Sequence, residues 1–149
     1  MQADYMVLAD AATVAEGKHY IHGAGWDTLG SVSFPFDQPT IAVAILFRVP
    51  WNDANAPHII ELDVVDADGV SILPTPPGPL RGPITVGRPP QITPGNDLLV
   101  PLVFNLLAVR FERPGTYVVT LRITGIEDKR FPLHVVALPQ VIVGPAPMG

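Results

Sequence analysis

Cysteine is absent from this chain, and charge is scarce. Without cysteine there is no disulfide, no thiolate metal site and no cysteine nucleophile, and the redox compartment is left open. Nine Lys and Arg residues are scattered among 149 without forming a basic run. With a net charge of −5, this excludes the basic footprint of a nucleic-acid binder or of a protein held to an anionic membrane surface. No apolar run reaches the ~18 residues that a spanning helix needs. The longest, residues 98–109, is interrupted by Pro101 and Asn105. Met1-Gln2-Ala3-Asp4-Tyr5 lacks a basic n-region, and Asp4 and Asp10 break the apolar stretch that follows. No signal peptide is expected, and a soluble cytoplasmic protein is.

Apolar side chains fill the space left by charge: 48% of residues are hydrophobic against 15% charged. A chain of this length reads as one domain, able to bury roughly 68–70% of its unfolded surface. So little charge predicts more apolar surface than a small monomer covers, and hence self-association. The 18 prolines fall between apolar runs, where an all-β chain needs punctuation.

Period-two alternation is clearest in the last third. Tyr117, Val119, Leu121 and Ile123 point one way; Val118, Thr120, Arg122 and Thr124 point the other. This is the mark of a half-buried strand. Phe131, Leu133, Val135 and Ala137 share one face of the next strand. Earlier strands are expected at residues 4–14, 18–23, 27–34, 40–49 and 58–66, with a return at 70–73. The run 40–49 is apolar on both faces and so central. The Ala-rich stretch 9–16 alternatively fits a short helix. Residues 74–94 hold eight prolines and read as extended loop with a short edge strand at 84–87. Domain 1–138 is followed by an extended arm, 139–149.

Leu8-Ala9-Asp10-Ala11-Ala12, then Gly17-Lys18, Tyr20, Gly23 and Gly25-Trp26-Asp27, resemble the opening of a family of small bacterial proteins of unknown function. Trp51-Asn52, Asp66-Ala67-Asp68-Gly69 and Pro114-Gly115-Thr116-Tyr117 extend the resemblance over most of residues 4–138. It implies a β-sandwich, with no assigned activity and no catalytic residues to carry over.

The candidate chemistry is sparse. His19 and His22 are three apart on a strand, so they face opposite sides and do not chelate one ion; His58 and His134 complete the histidines. Asp63, Asp66 and Asp68 before Gly69 resemble part of a calcium loop, but Val70-Ser71-Ile72-Leu73-Pro74 follows without an acid. A hairpin turn explains the Asp-Gly step, which leaves these acids as candidates for an incidental cation site. Ser31, Ser33 and Ser71 lack a nucleophile-elbow motif. Gly23-Ala24-Gly25 lacks the dinucleotide-binding spacing. Glu127-Asp128-Lys129-Arg130 reads as a solvated turn, and Asn105 as a buried amide. Trp26, Trp51 and Tyr20 are candidate ligand-stacking aromatics; the alternative for the tryptophans is to plug the ends of the core. Val141-Ile142-Val143, bracketed by Pro139 and Pro145, reads as an arm able to pair with a strand edge.

The chain is therefore expected to be an all-β, antiparallel sandwich, Ig-like or jelly-roll-like, of about seven to nine strands. The favoured function is a non-catalytic structural or interaction module that self-assembles or docks on another protein, without a cofactor, nucleic acid or membrane insertion. A carbohydrate- or small-ligand-binding sandwich is the alternative, and a metal-dependent hydrolase the second.

Overall fold

The structure, a computed structural model, describes residues 1–74, 78–140 and 144–145. Nine strands and one short turn of 3-10 helix make up the described chain. The strands are β1 (Gln2–Ala15), β2 (Lys18–Ala24), β3 (Thr28–Ser31), β4 (Phe36–Val49), β5 (Pro57–Val65), β6 (Leu80–Thr85), β7 (Leu98–Phe111), β8 (Gly115–Ile123) and β9 (Ile126–Ala137). The helical turn is Trp51–Asp53. A four-stranded sheet, ordered β2-β1-β4-β7, packs on a five-stranded sheet, ordered β3-β9-β8-β5-β6. The result is an all-β sandwich.

The period-two register reads through to the core. Tyr117, Val119, Leu121 and Ile123 are buried, whereas Arg122 and Thr124 are exposed. They meet Leu62 and Val64 of β5, Leu133 and Val135 of β9, and Ile41, Val43, Ile45 and Phe47 of β4 in one apolar cluster. The Pro114-Gly115-Thr116-Tyr117 start of β8 is held by Tyr117 Oη, which donates to Arg113 O at 2.7 Å. That is a tyrosine corner, here closing the β7–β8 link.

Two expectations change at the turns. No helix forms at residues 9–16, because β1 continues as a hairpin with β2, from Ala9↔Ala24 to Ala15↔Lys18. Its two turn residues, Glu16 and Gly17, both have positive φ, the geometry that matches the twist of a two-residue hairpin. Thr124 and Gly125 repeat it between β8 and β9. Because that turn needs two residues, Glu127-Asp128-Lys129-Arg130 lies within β9 and is not a loop. Asp128 occupies a bulge opposite the Leu121/Arg122 step, and its Oδ2 accepts the N–H of Ala3 at 2.9 Å. A side chain expected to be solvated therefore ties the two sheets together.

Other differences follow from tertiary pairing. The third strand is shorter than 27–34, and it runs parallel to β9, so the sandwich is not wholly antiparallel. The edge strand in the proline-rich region is residues 80–85 instead of 84–87. The return at 70–73 is reduced to one bridge, Val65↔Ser71.

The β1–β2 hairpin also folds over the outer face of the four-stranded sheet. β1 leaves β4 after Ala9↔Ala42, and the hairpin's His19 reaches β7, with Nε2 2.9 Å from Leu102 O. Tyr5 Oη lies 2.6 Å from the other ring nitrogen. Beneath the hairpin Ala9, Ala12, Ala42 and Ala44 form a separate buried cluster with Ile21 and Val103. Small side chains let a second layer of backbone approach the sheet closely. Burial raises the Tyr5 hydroxyl pKa. Among the described residues, no helix is long and apolar enough to cross a membrane.

Candidate functional site

The two flanks of the sandwich differ. On one flank β1 and β9 are bridged by Asp128. On the other, β6 and β7 are the outer strands of their sheets and pair with no further strand among the described residues, although the His19 imidazole of β2 reaches Leu102 O on β7. β7 places its even-numbered residues inward from Leu98 to Leu106, yet Val100, Leu102 and Phe104 are only partly buried. The equivalent inward residues of the central strand β4 are fully buried.

Three adjoining cavities run along this open flank. One of about 500 Å³ lies between Leu73, Leu80 and residues 105–109. The next, about 530 Å³, lies between Leu80, Ile84, Leu102 and Phe104. The third, about 520 Å³, lies between Ile84, Val86 and Val100. Their polar lining consists of Asn105, Arg81, Thr85 and Arg88, with no carboxylate or imidazole. The flank is thus an apolar groove beside a long strand edge. It has area to bury and backbone to pair, and among the described residues its polar lining is one amide, one hydroxyl and two guanidinium groups.

Local sequence shapes this edge. Pro101 lacks an N–H, which β7 tolerates because it is an edge strand. Ala108 adopts a left-handed φ of 51° opposite Pro39, where the β4–β7 register skips a pair. Alternation shifts there, so Leu106 and Val109 both face inward and Leu107 stays 65% exposed. Asn105, expected to be a buried amide, is exposed on the other side of β7 and borders the first cavity. The correction has a simple cause: an edge strand leaves one face beyond the hairpin's cover wet.

One end of the groove is pinned. The Arg88 guanidinium sits 4.4 Å from the centroid of the Trp51 ring and donates from Nη2 to Trp51 O at 2.7 Å. Asp53, in the same turn, pairs with the Met1 ammonium at 2.8 Å. Hydrogen bonding and attraction to that ammonium hold the Asp53 carboxyl below its ordinary pKa. Arg48 on β4 joins Asp4 of β1 at 2.7 Å and Asp97, before β7, at 3.6 Å. The Asp4 carboxyl is lowered chiefly by the Arg48 hydrogen bond.

The sequence-predicted residues are dispersed. Trp26 packs partly on the core in the link to β3, with Nε1 donating to Gly23 O at 2.8 Å. Trp51 has one face under Arg88, and Tyr20 stands half-exposed on β2. None of the three lines the groove cavities. Asp66 Oδ1 accepts the N–H groups of Asp68 and Val70 in the hairpin turn. Asp63 accepts from the Ser71 hydroxyl, and Asp68 lies 3.5 Å from Arg113. Among the described residues, no three of His, Asp and Glu gather to hold a metal. His19 is tied to Tyr5 and Leu102, His58 to Asp53 O, and His134 to Thr116. Val141, Ile142 and Val143 lie outside the described residues. The groove escaped sequence reading, because periodicity reports which face a side chain takes and not which strand is outermost. Pro101, inside the longest apolar run, is the available signal for an edge.

Comparison with known proteins agrees with a fold whose use is open. No curated protein and no solved structure matches the chain significantly. Residues 4–136 match a family described as "Family of unknown function (DUF6941)". The chain belongs to that family.

Proposed function

We propose that this protein is a non-catalytic interaction module that self-assembles, or docks on a partner protein, through the open β6–β7 flank. The observation that carries this reading is the 14-residue edge strand β7 beside an apolar groove. Unpaired backbone on a long edge is a template for another strand, and apolar area next to it supplies the burial that strand pairing alone lacks. Low overall charge and exposed Leu99 and Leu107 favour protein over solvent as the neighbour. The groove's lining gives no foothold for a hydrolase, and Arg88 already occupies one face of Trp51, the surface a sugar ring would stack on.

The test is sedimentation velocity combined with amide hydrogen exchange at rising protein concentration. Association is expected at micromolar levels, with exchange slowing at residues 98–109. Association that leaves β7 exchange unchanged overturns the assignment of this flank. A chain that stays monomeric at high micromolar concentration overturns self-assembly.

A further inference from the structure

We propose that the groove of one chain receives residues 140–144 of a second copy, added as a strand along the free edge of β7; this rests on the interaction reading above. Three observations converge on that occupant. The first is a missing strand: the sheet ending in β7 has four strands and the facing sheet five. One more strand beyond β7 would cover Val100, Leu102 and Phe104, which are half-buried while their counterparts on β4 are fully buried.

The second is a match of length and chemistry. The unencumbered part of the β7 edge runs from residue 103 to 107, between Leu102, whose carbonyl is held by His19, and Ala108, whose left-handed φ of 51° marks the skipped pair where alternation shifts. Gln140-Val141-Ile142-Val143-Gly144 is an uninterrupted stretch of the same order, bounded by Pro139 and Pro145. It has no charge and three consecutive β-branched residues, the type that fits a pleated, half-buried surface. Paired edges give main-chain hydrogen bonds while alternate side chains enter the groove. The prolines at both ends limit the pairing to one short segment.

The third is reach. Leu138 N–H donates to Ser31 O at 2.8 Å, which anchors the chain beside β3, at the far edge of the five-stranded sheet. Three strand spacings separate β9 from β6, about 14 Å, and β7 lies in the facing sheet about 10 Å away. Val141 follows Leu138 by three residues, which extend at most ~10 Å. The segment therefore meets the middle of a β7 that belongs to another molecule.

The experiment compares the full chain with a chain ending at Leu138 and with full-length Ile142→Pro, which removes one strand donor from the segment. Each is followed by sedimentation velocity and by exchange at residues 103–107. The expected result is that both altered chains fold but lose self-association and β7 protection. A synthetic peptide of residues 139–145, added to the shortened chain, should restore that protection. If both altered chains associate as the full chain does, with β7 still protected, the copies meet through β7 directly. The interaction reading then survives and the tail assignment fails. If the full chain does not associate at all, both fail. If the shortened chain cannot fold, and Ile142→Pro unfolds with it, the segment belongs to its own core and the inference is overturned.

Discussion

The β1–β9 flank carries Asp4, Asp10 and the charged run Glu127–Arg130, while β6 and β7 carry only Arg81 and Arg110, yet it is the more charged flank that is sealed and the more apolar one that is open. The sealed flank has chain crossing between the sheets at residues 24–28, with Trp26 lying against the core. It also has the bulged Asp128 holding the Ala3 N–H. The open flank has a short edge strand interrupted by Pro83 facing a long one, with cavities between them. Hydrophobic composition alone does not close a sandwich. Closure needs a strand or a cross-sheet tie at each side, and where one is lacking the core itself becomes the surface.

That contrast can be tested with one substitution type in two places. Leu121→Ala removes a fully buried side chain and is expected to cost about 2–5 kcal/mol. Leu102→Ala, on the open flank, removes a half-buried one and should cost about 1 kcal/mol under conditions where the chain is monomeric. Denaturation midpoints check both, with Arg122→Ala expected within about ±0.5 kcal/mol as the exposed control. Equal losses at Leu121 and Leu102 would mean the open flank is closed in solution.

An effect between those of Leu121 and Arg122 is expected from the sealed flank's tie. Asp128→Ala strips the acceptor from the N–H of Ala3, a buried residue, and an orphaned buried donor costs about 1–3 kcal/mol. Asp128→Asn keeps an acceptor oxygen and should recover much of the loss. If Asp128→Ala is neutral by thermal unfolding, the tie does not seal that flank.

The smallest effect is electrostatic and lies on the surface of the four-stranded sheet. Arg48 lowers the Asp4 carboxyl pKa in the folded state. Asp4 is ionised in both states above the ordinary carboxylate range, so its contribution is fully present there. The contribution is lost as pH falls through the depressed folded value, below about pH 4. Exposed pairs are weak, so Asp4→Asn should flatten only slightly the acid limb of a stability–pH curve. An unchanged acid limb would assign that limb to other carboxylates, Asp53 among them.

How far the sequence speaks depends on the range of the interaction. The inward face of β8 was legible, since alternation at Tyr117, Val119, Leu121 and Ile123 depends on neighbours two apart, while Thr124, read as the strand's last outward residue, belongs to the turn. The break between the strands expected at 4–14 and 18–23 was legible too, and the structure fills it with the Glu16-Gly17 turn. Asp128 was misread because a charged run looks solvated unless the facing sheet brings it a buried N–H. Asn105 was misread because burial on β7 depends on what lies beyond it. The sheet alanines hid their purpose in the same way: Ala42 and Ala44 sit in a core-like apolar run, and it is the hairpin from β1–β2 that makes them a docking surface for backbone.

The chain by itself determined its class: β-strands from alternation, turns from glycine and proline, and no thiol chemistry from the lack of cysteine. It also set a surface poor in charge. These are local or compositional properties, and each residue carries its share of them. The tertiary structure alone decided which strands became edges, that β3 runs parallel to β9, and that one flank closes while the other stays open. Those outcomes depend on pairing between residues far apart in sequence. Crossovers, bulges and the few polar groups that must find a partner, Asp128 among them, fix that pairing.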